Sequence, residues 1–277
     1  MSGFDPAWLD LREPADHRAR NTQIRDACAA HFSSRSEIRV VDLGCGSGSN
    51  LRALAPFLPP RQMWRLVDHD RRLIDAARRR LAAWADNAAS APADGLTLER
   101  DGKLVTVEFV EADLARDVEA VLPDDVDLVT AAALFDLVSE SWMRRLCGGL
   151  GSRPLYTVLT YNGLERWRPA DPRDAQMLAA FHAHQGRDKG FGPSVGPKAA
   201  TILAGLLVAR GYKVSEGESD WRLTRGDGAL VQALADGFAA ACRETGLVER
   251  ETVDGWREAR RNAEVDIGHT DLFAVRI

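Results

Sequence analysis

The spacing of apolar positions changes along the chain, and the changes predict alternating strands and helices. Apolar residues predominate in Ile38–Leu43, Met63–Val67 and Leu155–Thr160 and are largely β-branched in the first of these segments, which is typical of buried strands. Between such runs, apolar residues recur every three or four positions, as from Leu73 to Trp84, and mark one face of a helix. Strands that alternate with helices indicate an α/β protein whose central strands run parallel.

The whole pattern predicts a seven-stranded, mostly parallel sheet with helices on both faces. Within the third strand region, Asp101-Gly102 separates two apolar runs and is a hairpin signal. The closing residues Leu-Phe-Ala-Val are typical of an antiparallel last strand. The predicted strands are Ile38–Leu43, Met63–Val67, Leu96–Val110, Val126–Val129, Leu155–Thr160, Tyr212–Asp220 and His269–Ile277.

Two further segments shape the predicted domain organisation. Residues 1–36 precede the first strand, look helical from Phe4 to Phe32, and are predicted as an N-terminal helical cap. Residues 37–277 form the main domain, which contains an insertion at about 163–197. This insertion is rich in Arg, His, Pro and Gly and interrupts the strand–helix alternation. It is the expected specificity element.

The stretch around Asp42 carries the clearest functional signal. Asp42 lies close to the carboxyl end of the first strand, Gly44, Gly46 and Gly48 follow, and a helical pattern begins at Leu51. A strand that turns on glycines into a helix exposes backbone N–H groups at the carboxyl edge of the sheet. Open α/β sheets bind nucleotide-like ligands at this edge.

The pattern Asp-x-Gly-x-Gly-x-Gly of Asp42–Gly48 resembles motif I of the class I S-adenosylmethionine-dependent methyltransferases. The dinucleotide fingerprint requires its third glycine one place later, where Ser49 stands. Asp-Leu-Val-Thr-Ala at 127–131 is similar to the fourth strand of the same family. The resemblance covers Ile38–Thr160. It implies a Rossmann-like methyltransferase fold, S-adenosyl-L-methionine as cofactor and S-adenosyl-L-homocysteine as product.

The resemblance also implies which residues hold the cofactor. Asp68 ends the second strand, 20 positions beyond Gly48, where the family's acid binds both ribose hydroxyls. Asp113 takes the place of the family's adenine contact, and an N-cap role for it stays open. Asp70 is a rival to Asp68, although it suits the N-cap of the next helix. The implied cofactor set is Asp42, Gly44, Cys45, Gly46, Gly48, Asn50, Asp68, His69, Asp113, Leu114 and Ala131.

For binding and activation of the methyl acceptor, the sequence offers several candidate residues with alternative roles. Asp136 follows the fourth strand near the expected methyl group, and it could orient or deprotonate an acceptor or merely cap a turn. His182 and His184 lie in the insertion, as candidate general bases or as loop surface; no further ligand is spaced to complete a metal site with them. The catalytic candidates are Asp136, His182 and His184. The candidate substrate-binding residues are Arg12, Phe135, Asp136, Tyr161 and Asn162.

Composition excludes some classes of partner. The net charge of −5 provides no overall basic field for nucleic acid, and the arginines of segment 71–80 suit a solvated helix face. The longest apolar run, Ala199–Ala209, is too short to span a bilayer, and no apolar signal core is visible at the N-terminus. Four scattered cysteines without framework spacing suit free thiols in a reducing compartment. We therefore expect a cytoplasmic protein with neither a nucleic-acid nor a membrane partner.

The sequence thus predicts methyl transfer to a small-molecule O, N or C nucleophile, without a metal. Two alternatives remain. An NAD-dependent oxidoreductase would use the same turn and Asp68 for its dinucleotide, against which Ser49 counts. A non-catalytic S-adenosylmethionine-binding protein would keep the cofactor site without an acceptor pocket. The sequence does not fix the acceptor or the oligomeric state.

Overall fold

A computed structural model describes residues 5–277 as one mixed β-sheet with helices packed on both faces. The strands are β1 (Glu37–Leu43), β2 (Arg61–Asp68), β3 (Asn87–Ala91), β4 (Gly95–Arg100), β5 (Lys103–Glu111), β6 (Leu128–Ala132), β7 (Leu155–Arg168), β8 (Tyr212–Glu218), β9 (Trp221–Leu223) and β10 (Glu264–Arg276). The helices are α1 (Pro6–Ala19), α2 (Thr22–Phe32), α3 (Ser49–Leu54), α4 (Arg71–Trp84), α5 (Leu114–Asp117), α6 (Glu140–Gly149), α7 (Asp174–Gln185), α8 (Ala199–Val208), α9 (Gly228–Thr245) and α10 (Arg250–Ala259).

The sheet follows the order β3-β4-β5-β2-β1-β6-β7-β10-β8, and β9 pairs with β10 beside this path. The α/β class is confirmed, whereas the prediction of seven mostly parallel strands is wrong. Residues 5–277 contain ten strands, joined by four parallel and five antiparallel pairings. The five strands β5-β2-β1-β6-β7 form the parallel centre, and the antiparallel pairings lie toward both edges.

The additional strands β3, β4 and β9 have different origins. β4 is the first arm of the hairpin at Asp101-Gly102, where both residues have positive φ (49° and 75°) as a tight turn requires. β3 consists of small, mostly exposed residues and pairs only with β4. β9 is three residues long and is formed by pairing with Val265–Ile267 of β10. β3 and β9 lack an apolar periodicity of their own.

Alternation of side chains in β1 places two apolar layers against the sheet. Ile38 and Val40 belong to one core cluster, and Val41 and Leu43 belong to the cluster on the opposite face. Helices α2 and α4 contribute to the first cluster, while α6 and α8 contribute to the second. All four cysteines are buried free thiols.

Two helices precede β1 in place of one continuous helix. Asp5 caps α1 and Asn21 caps α2, so the chain leaves helical geometry at Arg20-Asn21 between them. α2 packs near β10 and β8, whereas α1 lies near β9, α4 and α9. Residues 1–4 of the predicted cap lie outside the described residues.

The segment predicted as an insertion begins as strand. β7 continues beyond Thr160 to Arg168, because it pairs along its length with β10. Helix α7 follows and packs against α9, with the rings of Phe181 and Phe238 stacked at a centroid distance of 4.0 Å. A loop of residues 186–195, the cavity loop, then leads to α8. Among residues 5–277, no helix is long and apolar enough to cross a bilayer.

Candidate active site

A cavity of about 480 Å³ lies beyond the carboxyl ends of β1, β2, β5 and β6. Its walls come from the glycine turn after β1, the ends of β2 and β5, the segment after β6, helix α1 and the cavity loop. Parallel strands end together at one edge of a sheet, so residues far apart in sequence meet here. The sequence-predicted residues in its lining are Arg12, Gly44, Cys45, Gly46, Asn50, Asp68, His69, Asp113, Leu114 and His184.

The glycine turn has a conformation that ordinary side chains resist. Gly44, Gly46 and Gly48 have φ values of 68°, 52° and 78°. The N–H of Cys45 donates to the Val67 carbonyl at 3.0 Å, which fixes the turn to the end of β2. A Cβ on Gly46 would lie 3.1 Å from a methyl group of Leu9, so α1 sits directly against the turn. Gly48 packs toward Leu81 and is not part of the cavity wall.

Asp68 lines the cavity in direct contact with this turn. Its carboxylate accepts hydrogen bonds from the Gly46 N–H at 2.9 Å and from the Asp70 N–H at 3.0 Å. Burial raises the pKa of Asp68, and those two backbone donors oppose the rise. Asp70 instead caps α4 by accepting from the Arg72 N–H, and its side chain does not line the cavity.

A buried network of hydrogen bonds joins Asn50, which follows the glycine turn, to the neighbouring strands. The Asn50 amide donates to Asp42 at 2.8 Å and to the Thr130 hydroxyl at 3.0 Å. Arg20 donates to the Asn50 side-chain oxygen at 2.9 Å. Burial raises the pKa of Asp42 to about 7, although the Asn50 hydrogen bond lowers it. Asp42 is fully buried behind Asn50 and does not reach the cavity wall.

Opposite the turn, Asp113 lines the cavity while it also caps α5. Its carboxylate accepts from the Ala115 N–H at 3.0 Å, as an N-cap does, and it forms an ion pair with Arg116. Leu114 and Ala115 beside it provide an apolar wall. Ala131 is buried within β6, and the cavity is lined instead by the following residues Ala132, Ala133 and Leu134.

Several predicted acceptor residues lie behind the cavity wall. Asp136 and Phe135 are buried and do not line the cavity, and Phe135 packs edge-to-face with Trp142. Burial raises the pKa of Asp136 to about 6. Asn162 accepts from the Leu164 N–H within β7. The Tyr161 hydroxyl bonds both Glu165 and His182, each at 3.0 Å, which places His182 in a cluster outside the cavity.

His184 does line the cavity, two residues along α7 from His182. Residues two apart on a helix point in different directions, so the two histidines separate. His184 pairs with Glu244 of α9 at 2.9 Å, and Lys189 of the cavity loop lies 3.4 Å from its other ring nitrogen. All three side chains belong to the cavity wall.

The sequence matches no protein-family model and no curated protein. Among solved structures, a cyclopropane-fatty-acyl-phospholipid synthase-like protein from Lactobacillus casei superposes with a TM-score of 0.50 at 15% identity, over 95% of this chain and 97% of that one. The protein has a methyltransferase fold.

Two further solved structures are similar at lower scores. One is an S-adenosylmethionine-dependent methyltransferase from Thiobacillus denitrificans in complex with S-adenosyl-L-homocysteine (TM-score 0.46, 16% identity, 99% of both chains). The other is the magnesium protoporphyrin IX methyltransferase from Synechocystis PCC 6803 with the same bound product (TM-score 0.45, 14% identity, 100% of this chain and 90% of that chain).

Sequence reasoning missed five charged residues of the cavity wall: Asp16, Arg20, Asp188, Lys189 and Glu244. Arg20 lies where α1 gives way to α2, and only that break distinguishes it in the sequence. Asp16 forms an ion pair with Arg12 at 2.9 Å, which ties the predicted Arg12 to its own helix. Lys189 and Glu244 carry no motif, because only the packing of α7 on α9 brings them to the site.

The site suits a ligand with an anionic end and a nucleoside end. Arg20 lines the cavity, and its Nε is buried without a hydrogen-bond partner among residues 5–277. Gly44 and Gly46 also line the cavity, and the carboxylates of Asp68 and Asp113 can accept from hydroxyl and amine donors. Within the described part of the chain, no group of three His, Cys, Asp or Glu side chains could hold a metal ion.

Proposed function

We propose that the protein is an S-adenosylmethionine-dependent methyltransferase that acts on a small molecule. The observation that carries the proposal is the position of Asp68, whose carboxylate is fixed by the Gly46 N–H and faces the same cavity as Asp113 and Arg20. Acceptors for two ribose hydroxyls and an adenine amine, together with a cation for a carboxylate, match the polar groups of the cofactor.

In this proposal each part of the wall holds one part of the cofactor. Gly44, Gly46 and Arg20 bind the methionine end, with Asp42 acting through Asn50. Asp68 binds the ribose hydroxyls, and His69 lies at its edge. Asp113 accepts from the adenine amine, while Leu114 contacts the ring. The guanidinium of Arg20 in the cavity lining and the positive φ values of the turn support this assignment.

The cofactor, when bound, supplies a methyl group on a positively charged sulfur. The chain's own contribution is to hold that methyl and the acceptor atom in line and to keep water away. Positioning of this kind contributes at most about 7–11 kcal/mol to the barrier reduction. A general base adds about 10²–10⁴-fold where the acceptor must lose a proton.

We place the acceptor between α1, the segment after β6 and the cavity loop. Arg12, Leu137, Leu159 and Phe191 line this part of the cavity. In this arrangement α1 and α2 act as the cap, and α7 with the cavity loop acts as the acceptor element. The enclosed volume of about 480 Å³ has to hold cofactor and acceptor together, which favours a small O, N or C nucleophile over RNA or protein.

The two alternatives make different demands on the same cavity. An NAD-dependent oxidoreductase would need a second nucleotide beside the turn, and Ser49 stands where the dinucleotide pattern has glycine. A non-catalytic binding protein would need no polar groups beyond the cofactor end. The pair His184–Glu244 in the cavity wall is not needed for the cofactor and therefore favours an enzyme.

Transfer of label tests the proposal. The purified protein is incubated with methyl-tritiated S-adenosylmethionine and a filtered small-molecule extract of the cells that encode it. We expect label in a small-molecule product with the wild type and none with Asp68→Ala. Label in retained protein or RNA would contradict the acceptor class. Binding of S-adenosylhomocysteine without any transfer would favour the non-catalytic alternative.

A further inference from the structure

We propose that His184 is the general base for the acceptor, that Glu244 orients it, and that Lys189 stabilises the oxygen anion formed when the acceptor loses its proton. The acceptor is then a small molecule with a hydroxyl group, and the reaction is O-methylation. This inference rests on the proposed methyl transfer and names its acceptor class.

Three elements bring these side chains together at the cavity wall. His184 lies in the last turn of α7, Glu244 in the last turn of α9, and Lys189 in the cavity loop. The His184 Nε2 lies 2.9 Å from a Glu244 carboxylate oxygen, and its Nδ1 lies 3.4 Å from the Lys189 Nζ. The His184 side chain is 18% exposed, so most of the imidazole surface is buried against protein atoms.

The two partners fix the same tautomer of His184. A carboxylate only accepts hydrogen bonds, so Nε2 carries the proton and donates to Glu244. An ammonium group only donates, so Nδ1 has no proton and presents a lone pair toward Lys189. A histidine held in this way is a base whose free nitrogen is aimed at one position.

The charged neighbours Arg187 and Asp188 bond to backbone groups and do not pair with His184 or Lys189. Asp188 accepts from the Gly190 and Gly192 N–H groups and thereby shapes the cavity loop. Arg187 donates to the backbone carbonyl of Glu244, which ties the loop to the end of α9. Lys189 forms no ion pair with a carboxylate of residues 5–277. Its ammonium is therefore free to leave Nδ1 for an incoming anionic oxygen.

The chemistry balances with the groups present. The acceptor oxygen forms a bond to the methyl carbon, and the methyl–sulfur bond breaks with its electron pair going to sulfur. The hydroxyl proton passes to Nδ1 of His184, which becomes an imidazolium paired with Glu244. Lys189 stabilises negative charge on the oxygen and would oppose the positive charge that an amine gains on methylation. A hydroxyl acceptor therefore fits this end of the cavity better than an amine.

The tautomer is measured directly by long-range ¹H–¹⁵N NMR on histidine-labelled protein saturated with S-adenosylhomocysteine. His184→Gln identifies the His184 signals. We expect the Nε2–H tautomer in the wild type and in Glu244→Gln. Lys189→Met leaves Glu244 as the partner and should keep this tautomer, whereas the double variant Lys189→Met/Glu244→Leu should give a mixture. The His182 signals serve as the internal control, and we expect them to stay unchanged. An Nδ1–H tautomer in the wild type, or the same tautomer in Lys189→Met and in the double variant, would overturn the orienting role of Glu244.

The product and the rate test the base and the acceptor class. We expect the labelled product to be a methyl ether and His184→Gln to lower kcat about 10²–10⁴-fold at neutral pH. Binding of S-adenosylhomocysteine should be unchanged in this variant, which separates this inference from the cofactor assignment. An N-methyl product, or a His184→Gln variant with wild-type kcat, would contradict the proposal while leaving methyl transfer intact.

Discussion

The buried carboxylate of Asp271 accepts hydrogen bonds from two distant backbone N–H groups, those of Leu159 and Asn21, each at 2.8 Å. Leu159 lines the cavity and has a φ of 57°, a conformation that leucine rarely adopts. Asn21 is the N-cap of α2. One side chain of β10 thus fixes a wall of the cavity and the helix that follows α1.

We expect Asp271→Asn to destabilise the protein by roughly 1–3 kcal/mol, because an amide NH₂ would then face one of the two buried donors. Chemical denaturation measures the change. Asp266→Asn is the matched control, since Asp266 lies on the same strand in an ion pair with the half-exposed Arg168 and should cost at most about 1 kcal/mol. Equal losses in both variants would contradict the role of Asp271.

Arg20 should bind the carboxylate end of the cofactor. We expect Arg20→Met to weaken binding of S-adenosylhomocysteine at least tenfold but to leave 5′-methylthioadenosine, which lacks the amino-acid portion, bound as in the wild type. Calorimetry with both ligands gives the comparison. Arg18→Met is the control, because Arg18 lies two residues earlier, in α1, and pairs outside the cavity with Asp227. An equal loss for both ligands would mean that Arg20 only supports the turn.

Stability without ligand should fall as pH rises through neutrality, in part because of Asp42. Burial raises its pKa to about 7, so the folded state keeps a proton that the unfolded chain loses near pH 4. The contribution of Asp42 to the free energy of unfolding is complete below about pH 4 and is lost as pH rises to 7. The free energy of unfolding then falls by at most about 1.4 kcal/mol per pH unit.

Denaturation at a series of pH values checks this expectation with Asp42→Asn, which keeps an acceptor for Asn50 and removes the titration. We expect this variant to have a flatter profile between pH 4 and pH 7. The control is Asp75→Asn on α4, at an exposed position beside Arg71. A profile that is equally steep in wild type and Asp42→Asn would show that other groups govern the dependence.

Gly46 should tolerate no side chain. We expect Gly46→Ala to cost about 1–2 kcal/mol for the left-handed backbone, and its Cβ would press on Leu9. Because Gly46 also holds Asp68, ligand binding should fall more than stability. Gly148→Ala in α6 is the control, since a Cβ there meets nothing within 4 Å. Thermal unfolding and S-adenosylhomocysteine titration of both variants measure the two effects, and unchanged binding in Gly46→Ala would be inconsistent with the turn as a ligand site.

The sequence predicted those strands whose apolar residues identify them, and it missed those made by pairing alone. β1 and β2 are rich in large apolar residues, whereas Asn87–Ala91 has the composition of a surface loop and becomes strand because β4 lies beside it. The end of β7 was missed for the same reason. Its polar residues to Arg168 are held by β10, nearly a hundred positions away.

The residues of the candidate site also fall into two groups, those that local sequence predicts and those that only the packing of distant segments places. Asp68 and the glycines follow strand ends directly, so local sequence predicts their neighbourhood. Asp136 also follows a strand, yet its side chain is buried and Leu134 lines the cavity instead. The spacing of residues along the sequence does not reveal this difference. Glu244 meets His184 only through helix packing across 60 positions, and no local pattern encodes that contact.

Cofactor binding by calorimetry tests the central claim most directly, with the wild type, Asp68→Ala and the neighbouring control Asp70→Ala. Asp70 caps α4 outside the cavity, so its loss should affect the helix and not the ligand. We predict that S-adenosylmethionine and S-adenosylhomocysteine bind the wild type and Asp70→Ala at micromolar concentrations, that Asp68→Ala loses both, and that NAD does not bind. Binding of NAD alone, or undiminished binding of S-adenosylhomocysteine by Asp68→Ala, would contradict the account.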